Sequence, residues 1–443
     1  MKRNRLQVIG CRLQVVALQL VLCFLPSAFC LSQTITNSPY SRFGLGELQY
    51  SGFANNIPMG GICNALQNDT TAPFFINTSN PASLASTQLT VFDFGIKSNT
   101  MKIKTTDKKY TSNQTAISYM ALAFPVAKWW GASFGLLPYS NVGYKIYDKQ
   151  EDTTMGVVNY SYEGEGGINQ VYLGNGFRVK GFSAGANVSY MFGDLVYFSR
   201  DSFPQGSNFL NAKLRQDTRV SDLHYSFGMQ YRQALRNDWS VTLGATGALK
   251  TKVNASQETF AAGYVNNFGV EIVKDTIIDT LVNTTVTIPK MLGGGVVFKK
   301  GDKWLFGLDY SLQNWSEFDS FGQQGLLKNS SKIAFGMQYI PNKNAGTKEP
   351  YVKKIFYRAG FRYSDSYLEL NNTALKDYAF TFGAGFPLRK IKVGEIYSQS
   401  VINIGFEIGQ RGAVENNLIR EKYVNAFISF TLNDRWFIKR KYD

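Results

Sequence analysis

Every second side chain is apolar over stretch after stretch of this chain, and no other feature narrows its folding options as far. Phe182, Ala184, Ala186, Val188, Tyr190 and Phe192 alternate with Ser183, Gly185, Asn187 and Ser189. Leu223, Tyr225, Phe227, Met229 and Tyr231 alternate with His224, Ser226, Gly228, Gln230 and Arg232. The same rule returns within 239–249, 304–310, 333–339, 355–363, 378–386, 402–408 and 424–432. A period of two puts successive side chains on opposite faces of a strand, and no helical period competes over these windows.

A soluble β-sandwich also alternates, but three features point to a transmembrane antiparallel β-barrel. The segments run about ten residues, the length with which a tilted strand crosses a bilayer. Aromatic residues gather at segment ends, as interfacial girdles do, and the connections alternate short and long. The 33 Phe, 25 Tyr and 41 Gly suit a wall with one face on lipid and the other on a polar lumen. Strands are expected near 89–99, 115–125, 130–139, 167–178, 181–192, 222–234, 238–250, 289–299, 303–313, 331–340, 353–363, 378–387, 400–411 and 422–432. That is fourteen, an even number, so both chain ends are expected in the periplasm. The short turns (126–129, 179–180, 235–237, 300–302) and two longer ones (341–352, 388–399) fall on the periplasmic side. The stretches 100–114, 140–166, 193–221, 251–288, 314–330, 364–377 and 412–421 become outer loops.

The chain opens as a secretory signal peptide over 1–32. Lys2, Arg3 and Arg5 precede an apolar run from Val15 to Leu25 and small residues at Ser27 and Ala28. Cleavage is expected near Ser32-Gln33 or at Cys30-Leu31. Phe29 before Cys30 argues against a lipid anchor, which needs a small residue there. Only Cys63 then remains, with His224 as the sole histidine. That excludes an internal disulfide and leaves almost nothing for a metal centre or a His-driven triad, so no cofactor and no metal are expected. The leader carries off Lys2, Arg3, Arg5 and Arg12, taking the formal charge from +15 to +11. Nucleic acid would need these cations in one patch or helix. They stand instead at segment ends, among them Lys102, Lys104, Lys108, Lys109, Lys252, Lys274, Lys299, Lys300 and Lys303. Two readings stay open: solvated loop charge, or attraction to lipopolysaccharide or other anionic outer-membrane lipid.

Residues 33–88 carry no sustained period and are rich in Asn, Ser, Gly and Pro, which is loop chemistry. A structureless segment that long needs a purpose, and ahead of a barrel that purpose is a plug. Ser38-Pro39-Tyr40-Ser41-Arg42-Phe43-Gly44-Leu45-Gly46, Met59-Gly60-Gly61 and Asn80-Pro81-Ala82-Ser83 resemble the N-terminal hatch of FadL-type outer-membrane transporters. Trp304 with Tyr310, and Trp315-Ser316-Glu317-Phe318, resemble a strand-end motif of the same family. The resemblance implies a fourteen-stranded barrel over 89–432, a hatch in its lumen, and passage of long-chain fatty acids or other hydrophobic small molecules. It departs from that family in a basic tail at 433–443, from Arg435 to Lys441.

Candidate functional residues follow. Phe43, Leu45, Phe74 and Phe75 are apolar in a polar segment; they either line a pocket for apolar cargo or anchor the plug. Asn80, Pro81 and Ala82 either gate or simply turn the chain. Pro138, following Gly135, cannot complete a ladder. The resemblance implies a kinked third strand there with a side window toward the membrane; the rival reading is that Pro138 ends the strand. Two other functional classes are weighed. An outer-membrane lipase or deacylase would carry a His and a Ser two residues apart, as His224 and Ser226 are. Leu223, Tyr225 and Phe227 take the lipid face, however, which turns both into the lumen, so no enzyme is expected. The third class is a fixed subunit that docks other outer-membrane proteins through 251–288 or the basic tail.

Overall fold

The computed structural model describes residues 36–436 apart from 50–51, 69–72, 107, 154, 205–208, 268–269, 322, 325–326, 347–348 and 394–395. The expected signal peptide and most of the basic tail lie outside the described residues.

Fourteen antiparallel strands close into a barrel. They are β1 Thr90–Lys104, β2 Lys109–Ala127, β3 Trp130–Asp152, β4 Gly156–Val179, β5 Phe182–Ser202 and β6 Asn211–Ala234. β7 is Trp239–Ala248 continued by Thr251–Asn267, and β8 is Val270–Ile288 continued by Met291–Lys300. β9 Trp304–Gln313, β10 Ser330–Tyr339, β11 Phe356–Leu370, β12 Thr373–Pro387, β13 Val401–Arg411 and β14 Arg420–Asp434 complete the wall. β14 pairs back onto β1 from Thr90↔Asp434 to Lys104↔Arg420, so the sheet has no free seam.

The alternation inverts the rule for soluble proteins. On β14, Val424, Ile428, Phe430 and Leu432 are 41–47% exposed, whereas Asn425, Ser429, Thr431 and Asn433 are at most 5% exposed. Apolar side chains face outward and polar ones inward, the arrangement a barrel wall in lipid requires. Trp129, Trp130 and Phe177 stack at one end of the wall, and Trp304 packs 4.3 Å from Tyr339 at the same end.

All fourteen expected strands are present. The expected outer loops 100–114, 140–166, 193–221, 251–288 and 364–377 are corrected: β1 and β2, β3 and β4, β5 and β6, β7 and β8, and β11 and β12 run on as paired hairpins to Lys104↔Lys109, Asp152↔Gly156, Asp201↔Ala212, Asn267↔Val270 and Leu370↔Thr373. Beyond the apolar band the inner faces change character: Val142, Tyr144, Leu195, Val220, Val253, Val286 and Ile288 turn inward into one buried apolar cluster, so the polar-in, apolar-out alternation is lost while the backbones keep pairing. On the β8 extension, Glu271 through Asn283 are exposed throughout.

Residues 36–88 form three short 3-10 helices, Pro39–Arg42, Ile57–Met59 and Pro81–Ser86, and a two-residue strand Glu47–Leu48. The helix at 81–86 packs on β3, β4, β5 and β6, and the one at 57–59 on β10, β11, β12 and β13. The segment therefore touches opposite sides of the wall from within. β1 and β14 begin and end at the short-turn end, but Ser38 bonds to Glu421 and Tyr40 to Ile419, near the long-connection end. The described start of the chain thus lies well up the lumen from the barrel's own ends.

Candidate functional site

The wall changes where Pro138 falls. β2 and β3 pair from Ala127↔Trp130 only as far as Met120↔Leu136. β2 continues to Lys109 on β1, and β3 continues to Asp152 on β4, but the rungs between them stop. The β3–β4 ladder itself shifts register between Pro138 and Ser140. The cause is local: proline has no N–H to give, and the extra residue bends the strand away from β2. Ile117 and Phe134, beside the break, face outward and are 50% and 48% exposed.

The N-terminal segment takes up the abandoned edge of β3. Glu47 pairs with Asn141 and Leu48 with Ser140, and the Gln49 N–H donates to the Tyr139 carbonyl at 2.9 Å. Higher up, the Gly143 N–H donates to Ser41 Oγ at 3.0 Å. Gly46 sits at φ +91°, and a Cβ there would stand 2.6 Å from the Asn141 carbonyl oxygen, so this approach needs glycine.

Between segment and wall lies a cavity of about 360 Å³. Leu48, Leu137, Pro138, Tyr139 and Met101 line it, together with Lys97, Arg362, Glu407 and Arg411. Arg362, Glu407 and Arg411 are paired. Arg411 meets Glu421 at 2.6 Å and Glu47 at 3.1 Å, and it also donates to Ser38 Oγ at 3.1 Å. Arg362 meets Glu407 at 2.7 Å, and the Tyr423 hydroxyl donates to Asp377 at 2.6 Å. One carboxylate from the segment and two strands of the wall thus share one guanidinium. Lys97 donates to Gln49 Oε1 at 3.3 Å.

A second anchor sits across the lumen. Asp309 on β9 accepts the backbone N–H groups of Cys63 and Asn64 at 2.6 and 2.8 Å. Asn64 in turn accepts from Thr246 at 2.8 Å, and its carbonyl receives Asn80 Nδ2 at 2.5 Å and Gln230 Nε2 at 3.0 Å. The wall opposite is glycine. A Cβ on Gly228 would collide with the Asn80 side chain, and one on Gly360 with the backbone of Met59 and Gly60.

Asn80 is buried and caps the 81–86 helix by accepting from the Ala82 N–H at 3.1 Å; Pro81 and Ala82 lie fully inside. Phe43 and Leu45 pack in an apolar cluster with Tyr40, Trp315, Phe318 and Tyr367; Tyr40 and Tyr367 line the large cavity, but Phe43 and Leu45 do not. Phe74 is fully buried among Phe53, Ile76, Leu84 and Leu137, and Phe75 packs on a neighbouring cluster with Met59 and Leu66. Both line a second cavity of about 70 Å³ near the short turns. Gly135 pairs with Ala121 just below the break. His224 and Ser226 face inward, and each has its own partner: Thr251 Oγ1 lies 3.2 Å from His224 Nδ1, and Ser226 Oγ accepts from Asn187 at 3.1 Å. Sequence reasoning missed Arg362, Glu407, Arg411, Glu421 and Asp309. Their signal was present: each is a charge at an inward-facing position of an alternating strand.

Comparison with solved structures finds the same architecture. The toluene transporter TodX of P. putida aligns over 88% of this chain and 100% of its own, at 16% identity and TM-score 0.59. A FadL homologue of Pseudomonas aeruginosa aligns over 88% and 100%, at 11% identity and TM-score 0.58. The CymD monoaromatic hydrocarbon channel aligns over 89% and 99%, at 13% identity and TM-score 0.52. At these identities the likeness is one of fold. No curated protein matches the sequence. The profile of one family, BamG, matches residues 15–443, taking in the inner segment and every strand of the wall. The chain belongs to the BamG family.

Proposed function

We propose that this protein is an outer-membrane channel for hydrophobic small molecules, in which residues 36–88 act as the hatch and cargo leaves sideways through the wall. The observation that carries the reading is the break between β2 and β3 above Met120 and Leu136, opening beside a cavity lined by Leu48, Leu137, Pro138 and Tyr139. A closed wall has no reason to give up rungs, since unpaired backbone in lipid costs several kcal/mol per group. An opening that the segment covers from inside can be uncovered by moving residues 41–49. The resemblance to TodX, CymD and the FadL homologue supports the same reading. The test is a reducible bis-maleimide cross-link between Ile117→Cys and Leu136→Cys, which share the outer face of the wall, closing the break in vesicle-reconstituted protein. Uptake of a fluorescent fatty acid should fall several-fold on cross-linking and return on reduction; unchanged uptake by the bridged barrel would reject the side exit.

A second reading has its own observation. Among the described residues, Val270–Thr285 of β8 pair only with β7, which leaves one long strand edge open above the barrel. Ile277 and Leu281 on it are each 66% exposed. Open edges accept further strands, so the barrel also suits a subunit that docks another outer-membrane protein there. Stoichiometric co-purification of a partner, lost when 251–288 is shortened, would favour this reading.

A further inference from the structure

The fold shows where the excess positive charge lies. The six connections at the short-turn end, 128–129, 180–181, 235–238, 301–303, 340–355 and 388–400, hold eleven Lys and Arg against four Asp and Glu. The seven at the opposite end, 105–108, 153–155, 203–210, 268–269, 314–329, 371–372 and 412–419, hold two against four. The paired hairpins beyond the band do not restore the excess there: 140–152, 156–166, 193–202, 211–221, 251–267 and 270–288 together hold eight Lys and Arg against twelve Asp and Glu, and some of those cations are paired, as Lys145 with Glu163, Lys213 with Glu271 and Arg219 with Asp194. The two ends of one barrel therefore differ in kind.

At the turn end the cations form a ring. Each of the six turns supplies at least one: Lys128, Lys180, Arg236, Lys303, Lys353 and Lys392. All six are exposed. The ring sits directly on the aromatic girdle, with the Lys300 ammonium 5.5 Å from the Trp239 ring and that of Lys303 5.8 Å from the Tyr339 ring. A soluble partner would be met by a patch on one side. Cations on every turn around the whole circumference, with Lys300 and Lys303 against the girdle itself, match something planar and anionic that surrounds the barrel.

We infer that the turn end is a binding rim for anionic phospholipid headgroups, which fixes the barrel in a leaflet rich in acidic lipid. Long basic side chains can lay their stems along the girdle and put their charge at the phosphate plane. The attraction falls off within a Debye length of about 10 Å at moderate salt, so only charges at this height contribute. The inference rests on the band between the girdles lying in a bilayer, not on transport, and uptake plays no part in its test.

The experiment reconstitutes the full chain in vesicles of phosphatidylcholine alone or in an equal mixture with phosphatidylglycerol, and counts lipids retained after gentle extraction by native mass spectrometry. Wild type should retain phosphatidylglycerol over phosphatidylcholine several-fold, less so at high salt. The combined variant Lys128→Gln, Lys180→Gln, Arg236→Gln, Lys303→Gln and Lys392→Gln should lose that preference. A control of equal charge at the other end, Lys108→Gln, Lys109→Gln, Lys149→Gln, Lys252→Gln and Lys274→Gln, should keep it. Heat-modifiable migration on gels shows that each variant has folded. No preference in wild type, equal loss in the control, or retention in the turn variant would each overturn the rim. So would capture of an acidic polypeptide such as polyglutamate by wild type in phosphatidylcholine without any preference for the acidic lipid, which would assign the ring to a protein.

Discussion

Arg411 is the residue on which the inner segment and the wall both depend. Its guanidinium serves Glu421 on β14 and Glu47 on the segment, and all three are largely buried. Removing one partner of a buried pair leaves an uncompensated charge, which costs about 3–5 kcal/mol. Arg411→Ala should lower the free energy of unfolding in detergent by that amount, and adding Glu47→Gln and Glu421→Gln should restore part of it. A variant as stable as wild type would show that these charges are solvated rather than paired. These inward charges were legible in principle. Glu407 and Arg411 occupy polar positions of a clean alternation, and a charge repeated on the lumen face of one strand asks for a partner within. The partner itself was not legible, because Glu47 lies 364 residues away and nothing local marks it.

At the scale of elements, the alternation foretold each strand as far as the lipid extends and no farther. Phe182 to Phe192 read as a strand because apolar and polar faces alternate cleanly; the continuation to Ser202 does not, because Leu195 turns inward into an apolar cluster and Leu195-Val196-Tyr197-Phe198 runs apolar without alternating. The segment's docking was hidden for a similar reason. Gly228 and Gly360 look like ordinary small residues on the lumen face, and only the fold shows that each makes room for backbone or side chain from 59–80. Where β7 and β8 each divide, Lys250 and Lys290 both reach Glu317 in the 314–320 connection, at 3.0 and 3.4 Å. Lys250 and Asn314 hydrogen-bond the Glu317 carboxylate and hold its pKa down to about 2. Because the folded value is depressed, this tie is complete above the ordinary carboxylate pKa of about 4.3 and is lost as pH falls through about 2. Pepsin should therefore cut the 251–288 hairpin slowly until the bottom of that window, and Glu317→Gln should be cut faster across all of it. Equal rates for the two proteins would show that the tie holds nothing in place.

For the whole molecule, the described segment runs from Thr36, near Arg411 and Glu421, down to Ser86 and then into β1 at the turn end. It crosses the lumen once, with the wall closed around it by the β1–β14 seam. Such an arrangement has a history built into it. A segment of this kind is most easily enclosed while the last seam is still open, since entering a finished cylinder means passing between inward side chains on every strand. The expected order of events follows from that arrangement: capture of the segment by Asp309, the wall glycines and the edge of β3 before closure. A barrel beginning at Leu89 should close into a hollow or collapsed form that a separately supplied 33–88 peptide cannot rescue, whereas the same peptide present during refolding should be locked in. Pulse-chase refolding with early or late addition, read by protease protection of the peptide, separates the two. Equal protection in both would mean that the cylinder breathes widely enough to be entered after it is sealed.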